Sequence, residues 1–230
     1  MNIINPYRFA GDGDVTFGNA SRSFDGTNDY LTVADGSWIP TGAQTWSCWV
    51  KLDTTGTYSF FNHNGGSPNK SIQILVVSGG KFRMQVSSSG SNSENLDSTT
   101  TPTTGTWYHV AGVFNPSLQS RARRIYVNGV EEANTTTSFS SLNDTSVDIG
   151  IGANSGGNFK LDGKLADCRI YDADIGDSAI ADLASGTDYQ TNLVGWWLTD
   201  SDDIDDYAST NDATEGSGSS STYDTDGPLD

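Results

Sequence analysis

Trp107-Tyr108-His109-Val110-Ala111, Ile125-Tyr126-Val127-Asn128-Gly129 and Gly163-Lys164-Leu165-Ala166-Asp167-Cys168-Arg169-Ile170-Tyr171 decide how this chain folds. Each is a short run rich in β-branched and aromatic residues, the composition that suits a half-buried pleated surface. Asn128-Gly129 supplies the two positive-φ residues that a type I′ hairpin requires. Working outward, strands are expected at 30–33, 46–52, 58–61, 72–77, 81–86, 107–114, 124–127, 147–151 and 165–171, with a hairpin signal at Ser78-Gly79-Gly80. Asp177-Ser178 is placed to cap one short helix over 179–183.

Two further phrases extend the pattern: Phe24-Asp25-Gly26-Thr27-Asn28-Asp29-Tyr30 upstream and Trp46-Ser47-Cys48-Trp49-Val50-Lys51 after it. In this order and spacing the motifs resemble laminin G-like jelly-roll domains, the concanavalin A-like cousins of pentraxins and legume lectins, over residues 24–183. The resemblance implies an all-β protein, an antiparallel jelly-roll β-sandwich with one short helix. Acidic chains of this type that open like Ile3-Ile4-Asn5-Pro6-Tyr7 also resemble decoration or tail-associated proteins of bacteriophages, which implies attachment or virion assembly as the rival role.

All-β sandwiches of this size commonly form one domain. The chain divides into an N-terminal arm at 1–23 with a short strand at Val15-Thr16-Phe17, a laminin G-like domain at 24–200 with a closing C-terminal strand, and an acidic, Gly/Ser-rich tail at 201–230, of which the part beyond Glu215 is expected to be dispensable. Leu193-Val194-Gly195-Trp196-Trp197-Leu198 resembles the phrase that normally begins such a domain, yet it comes last. It is either a closing strand of the same sandwich or the start of a second repeat. As a strand, it sends Trp196 and Trp197 to opposite faces, one of them into the core.

A net charge of −17 sets a repulsive field before nucleic acid or an anionic bilayer, which excludes both as partners. The basic cluster Arg121, Arg123 and Arg124 is expected to be a solvated strand edge that discourages sheet pairing. No apolar run reaches the ~20 residues that span a membrane, and the first residues lack a secretory signal. The chain reads as a soluble protein of the extracellular space or a virion surface. Cys48 and Cys168 fall on core-facing positions of their strands, as free thiols or as a pair bridged by a disulfide. Pentraxins carry a cysteine at the position resembling Cys48, but the position resembling its partner is Ala111 here, so that family bridge is missing.

Enzymatic chemistry finds no catalyst. The jelly-roll glycanases resembling this fold set two Glu around an Asp at alternate positions of one strand, whereas this chain has only Glu94, Glu131, Glu132 and Glu215. Glu131 and Glu132 are adjacent and point to opposite faces of any strand, so they cannot flank one glycosidic bond. His109 sits inside a strand phrase, where a hydrogen-bonded structural role is expected. His63 lies in a polar loop without a His or Cys partner at metal-ligand spacing.

Asp outnumbers Glu, and short carboxylates on loops suit calcium. The resemblance implies a structural Ca2+ at Asp25, Asp29 and Asp167; the alternative is that Asp25-Gly26 and Asn28-Asp29 only form turns. The loop resembling the pentraxin double-calcium segment, 152–157, carries no carboxylate. Three polar loops, 62–70, 87–106 and 153–159, are where a rigid sandwich would place binding. The function expected is therefore a non-catalytic recognition module for a carbohydrate or cell-surface glycan, with Tyr58, His63, Asn64, Asn69, Asn154 and Phe159 as contacts. Homo-oligomer formation or assembly into a virion is left open.

Overall fold

The structure, a computed structural model, describes residues 20–197 and 204–229. The expected strand at Val15-Thr16-Phe17 and all but the end of the 1–23 arm lie outside the described residues. In chain order the strands are β1 (Ser21–Asp25), β2 (Leu31–Val33), β3 (Gln44–Leu52), β4 (Tyr58–Asn64), β5 (Lys70–Val76), β6 (Phe82–Val86), β7 (Glu94–Asp97) and β8 (Trp107–Phe114). They continue as β9 (Arg123–Val127), β10 (Val130–Thr135), β11 (Ile149–Ile151) and β12 (Asp162–Tyr171). After the helix α1 (Gly176–Ala184) come β13 (Leu193–Trp197), β14 (Ala213–Glu215) and β15 (Thr222–Asp224).

Two antiparallel sheets result. Sheet A runs β10-β9-β8-β3-β12-β1-β15, with β13 also paired to β12, and sheet B runs β14-β2-β11-β4-β5-β6-β7. The concanavalin A-like sandwich expected from the motifs is the fold observed. Alternating residues of both sheets fill one core: Trp46, Val50, Val110 and Ile125 from sheet A meet Phe61, Ile74, Met84 and Ile151 from sheet B, all essentially inaccessible. The Trp46 and Phe61 rings lie 4.6 Å apart between centroids. Ala111, Val113 and Tyr126 form a smaller apolar cluster with Ile180 of α1. No helix among the described residues is long and apolar enough to cross a membrane.

The β9–β10 turn follows the expected chemistry, with Val127 opposite Val130 and φ of 49° and 79° at Asn128 and Gly129. Cys48 and Cys168 are buried free thiols. Trp197 is wholly buried beside Trp38 and Phe61, whereas its neighbour Trp196 stays half-buried with the Arg169 guanidinium 4.1 Å from its ring.

Several expectations change. The segment taken as a tail carries β14 at one edge of sheet B and β15 at one edge of sheet A. Among its described acidic residues, Glu215 pairs with Arg22, and Asp226 receives Lys51 at 2.6 Å and Lys164 at 2.8 Å. The domain also begins earlier than Phe24, since Arg22 and Ser23 already pair with β12. Arg121, Arg123 and Arg124 do not form a solvated edge, because β10 covers β9. Arg124 is 2% exposed and paired with Asp174, Arg123 is paired with Glu94 at 2.8 Å, and Arg121 is paired with Glu131. The helix starts at Gly176 without a side-chain cap. Asp177 sits in its first turn, where a carboxylate favours the positive end of the helix dipole.

Candidate functional site

Residues directly opposite in an antiparallel sheet share one face. Across sheet B the register sets Thr214 opposite Thr32, Thr32 opposite Gly150, and Gly150 opposite Asn62. Asn62 then faces Gln73, Gln73 faces Gln85, and Gln85 faces Asn95. Seven strands thus contribute one continuous polar row. It lies on the outer face, since the alternating neighbours Ile72, Ile74, Met84 and Val86 belong to the core.

The amides of this row are held in place by one another. Asn64 Nδ2 donates to Gln73 Oε1 at 2.9 Å and to Gln85 Oε1 at 3.2 Å, and Gln85 Nε2 donates to Asn95 Oδ1 at 3.0 Å. Gln73 is 4% exposed and its Nε2 has no acceptor. Such a donor favours a water or a ligand oxygen brought onto the face, because an unmet buried donor costs about 1–3 kcal/mol. A second row of Ser59, Leu75, Arg83 and Asp97 runs beside the first. Within it Arg83 makes a forked pair with Asp97, at 2.5 and 2.8 Å, which holds the Asp97 carboxyl below its usual range.

The 153–159 loop forms a wall along this floor. A Cβ at Gly150 would collide with Ala153 O and Ser155 N, so the glycine lets the loop close over the sheet. Asn62 Nδ2 fastens the loop at the Ala153 carbonyl (2.6 Å). Ser155 and Asn64 exchange two bonds, from Ser155 N–H to Asn64 O at 3.1 Å and from Asn64 N–H to Ser155 Oγ at 3.2 Å. Asn154 is buried and turns the loop tip by accepting from Gly156 and Asn158 N–H groups. At the end of the wall Phe159 takes a φ of 57° and is 52% exposed. A bulky side chain in the left-handed region is a costly outlier, and such strain gathers where function needs it.

Of the residues expected to bind, the structure brings Asn64 and Asn154 to one end of the wall, through the Asn64–Ser155 bonds, and sets Phe159 at the other, beside Ser59. Tyr58 opens β4 at the Phe159 end, with its hydroxyl 2.6 Å from Thr54 Oγ1. Asn69 stays in the turn between β4 and β5, away from the rows. His63 is 3% exposed, with Nε2 3.2 Å from Asp35, and burial lowers its pKa against the pull of that carboxylate. Gln73, Gln85 and Asn95 are new to the site. Alternation within Ser71-Ile72-Gln73-Ile74 and Met84-Gln85-Val86 signals their outward direction, but only register shows that they align.

The three aspartates expected to hold calcium are not gathered. Asp25 Oδ1 accepts from Thr27 N–H at 2.8 Å and Asn28 N–H at 3.0 Å, and these backbone donors, that of Asn28 foremost, lower its pKa. Asp29 accepts from Asp25 and Ser220 N–H groups. Asp167 lies at a bulge on β12 with φ 52°, its Oδ1 bound to Arg169 Nε at 2.7 Å and Trp196 Nε1 at 2.7 Å. Among the described residues no group of three or more His, Cys, Asp or Glu is disposed to hold a metal ion.

The four glutamates are likewise engaged separately. Glu94 pairs with Arg123, Glu131 with Arg121, and Glu215 with Arg22, while Glu132 accepts from Thr99 and Thr100 N–H groups at 2.8 Å. A cleft between Leu52, Gly56, Val76 and Pro102 holds only about 80 Å3, well below the ~300 Å3 at which small-molecule pockets begin. What the chain offers is an open face of positioned amides with an aromatic at its border.

Residues 25–181 match the family described as the Concanavalin A-like lectin/glucanases superfamily. Among curated proteins nothing matches. Among solved structures, a provisionally assigned carbohydrate binding protein from Bacteroides ovatus is similar at TM-score 0.74 and 16% identity, covering 91% of this chain. The present chain spans 60% of that protein. A heptameric SAP-like pentraxin from Limulus polyphemus is similar at TM-score 0.60 and 16% identity, covering 89% of this chain and 97% of its own. Domain 4 of an extracellular arabinanase from Geobacillus stearothermophilus, in complex with arabinotriose, follows at TM-score 0.57 and 22% identity, covering 75% and 82%. At these identities the likeness carries the fold alone.

Proposed function

Since the chain belongs to the concanavalin A-like lectin/glucanases superfamily, we propose that it is a non-catalytic carbohydrate-binding module of the extracellular space, which holds its glycan on the outer face of sheet B. Sugar hydroxyls are paired donors and acceptors, and the side-chain amides of Gln73, Gln85 and Asn95 offer both on one plane. The apolar face of a pyranose or furanose ring stacks on an aromatic ring, the part given to Phe159. One observation carries the reading: Phe159 is a bulky, exposed residue held at positive φ and bonded to Ser59 of β4, on a sheet whose outer face carries prearranged amides. Neither strain nor exposure helps the fold. The relatives described as carbohydrate binding, or seen with arabinotriose, support the same class of ligand.

An open face buries little of its ligand, so single-site affinity is expected no tighter than about 1 μM. A glycan array probed with the full chain, with Phe159→Ala, and with Val130→Ala tests the proposal. Val130 is the control, an exposed apolar residue on the other sheet. Sugar binding by the full chain and by Val130→Ala, but weakened at least tenfold in Phe159→Ala, is the expected result. A blank array, or equal binding by both variants, overturns it.

A further inference from the structure

Resting on that carbohydrate reading, we propose that the face takes an uncharged glycan chain laid across strands β5 to β7 and discriminates against acidic glycans. The direction follows from the register. Gln73, Gln85 and Asn95 repeat once per strand, while Asn62, 0% exposed and bonded to the Ala153 carbonyl, closes the row under the loop. At a spacing of 4.7–4.9 Å between strands the three cover about 10 Å, roughly the length of two sugar residues. A chain crossing the strands meets one amide for each strand it passes; a chain running along them would leave the row after one.

The charge preference follows from how the nearby cations are used. A carboxylate or sulfate on a sugar is normally met by an arginine fork or a free ammonium group. Arg83 is the cation in the two rows, and its fork already closes on Asp97 through both carboxylate oxygens. Lys160, at the wall, donates to the Gly157 carbonyl with its Nζ 5.8 Å from the Tyr30 ring centroid. Lys70 opens β5 and Lys81 precedes β6, outside the rows, and the charge of Lys81 is directed at Asp97, whose carboxyl it helps to hold below its usual range. Behind the face lies a chain of net charge −17. An acidic sugar would meet neutral amides in a repulsive field, whereas a neutral one meets the same amides without that penalty.

Asp97 makes this testable by gain of binding. Titration calorimetry compares neutral arabinan, xylan and β-glucan oligosaccharides of increasing length with galacturonan oligosaccharides of matched length, using the full chain, Asp97→Asn, and the double variant Arg83→Gln/Asp97→Asn. The full chain is expected to bind a neutral series, about tenfold more tightly for the trisaccharide than for the monosaccharide, and galacturonan at least tenfold more weakly. Asp97→Asn frees the Arg83 fork and should raise the ratio of acidic to neutral affinity about tenfold; the double variant should lose that gain. Galacturonan bound as well as neutral sugars, or affinity indifferent to length, overturns this inference while carbohydrate binding stands. An Asp97→Asn ratio that does not move, in a protein that melts like the full chain, also overturns it. Absence of binding to every sugar removes the underlying reading as well.

Discussion

Phe159 and Ser59 are joined by a backbone hydrogen bond of 2.8 Å, from the Ser59 N–H to the Phe159 carbonyl, although Phe159 holds a φ of 57°. The bond ties a strained, half-exposed aromatic to the second residue of β4, at the border of the polar rows. Strain of this kind typically costs about 1–3 kcal/mol, and glycine removes it at an entropic cost of about 0.5–1 kcal/mol. Phe159→Gly is therefore expected to leave the melting temperature unchanged or slightly raised while weakening sugar binding at least tenfold. Thermal melts paired with titration of the best array ligand measure both. A variant that is destabilised, with binding lost only in proportion, would make Phe159 a packing residue.

A second expectation concerns acid. His109 is inaccessible, neither ring nitrogen has a hydrogen-bond partner, and burial together with Arg169 pushes its pKa down to about 3. An unfolded histidine titrates near pH 6.5. The folded pKa lies below the unfolded one, so the unfolded chain takes up a proton first as pH falls. Stability is complete above pH ~6.5 and declines from there toward pH 3, by up to about 1.4 kcal/mol per pH unit. His63, whose pKa is also lowered by burial, acts in the same direction. His109→Leu removes two unmet polar atoms and should be neutral or stabilising at pH 7, with a shallower loss of stability between pH 6.5 and 5. Denaturant melts across that range read the slope; an unchanged slope would mean that His109 is protonated in the fold.

The C-terminal segment gives a third expectation, and it departs from what composition implies. Ending the chain at Gln190 removes β13 with the buried Trp197, a loss of about 3–5 kcal/mol by comparison with large-to-small core substitutions, and opens β12. That approaches the whole stability of many domains, so this fragment should be unfolded or insoluble. Ending it at Glu215 removes β15, the Arg22 bond to Ser221 and the Asp226 pairs with Lys51 and Lys164. Partly exposed pairs contribute about 1 kcal/mol or less each. The shorter loss should leave a folded protein melting about 4–10 °C lower. Equal melting of the 1–215 and full-length chains would show that β15 adds nothing.

Much of this architecture was legible from local chemistry. The Asn128-Gly129 turn, the opposite facing of Trp196 and Trp197, and the short helix near 179–183 all follow from propensity and alternation, and the structure shows each of them, with Trp197 the inward one. What escaped is what depends on distant partners. Glu215 and Asp226 look solvated until Arg22, Lys51 and Lys164 are brought beside them, and β7 looks like part of a polar loop until Asn95 is set against Gln85. The candidate site was visible in pieces. Asn154 and Phe159 were evident as loop residues, and Asn64, read as a loop residue, ends β4; the row from Asn62 to Asn95 exists only through the register of four strands, which no single strand encodes.

The most direct measurement follows the side-chain amide resonances of the isotope-labelled chain while a neutral oligosaccharide that binds is titrated in. Saturable shifts in the side-chain NH2 signals of Gln73, Gln85 and Asn95, together with the backbone signals of 153–159, are predicted. Shifts confined to the outer face of sheet A around Arg169 and Trp196, or to the 25–29 turn, with the Gln73, Gln85 and Asn95 signals unmoved, would contradict the account.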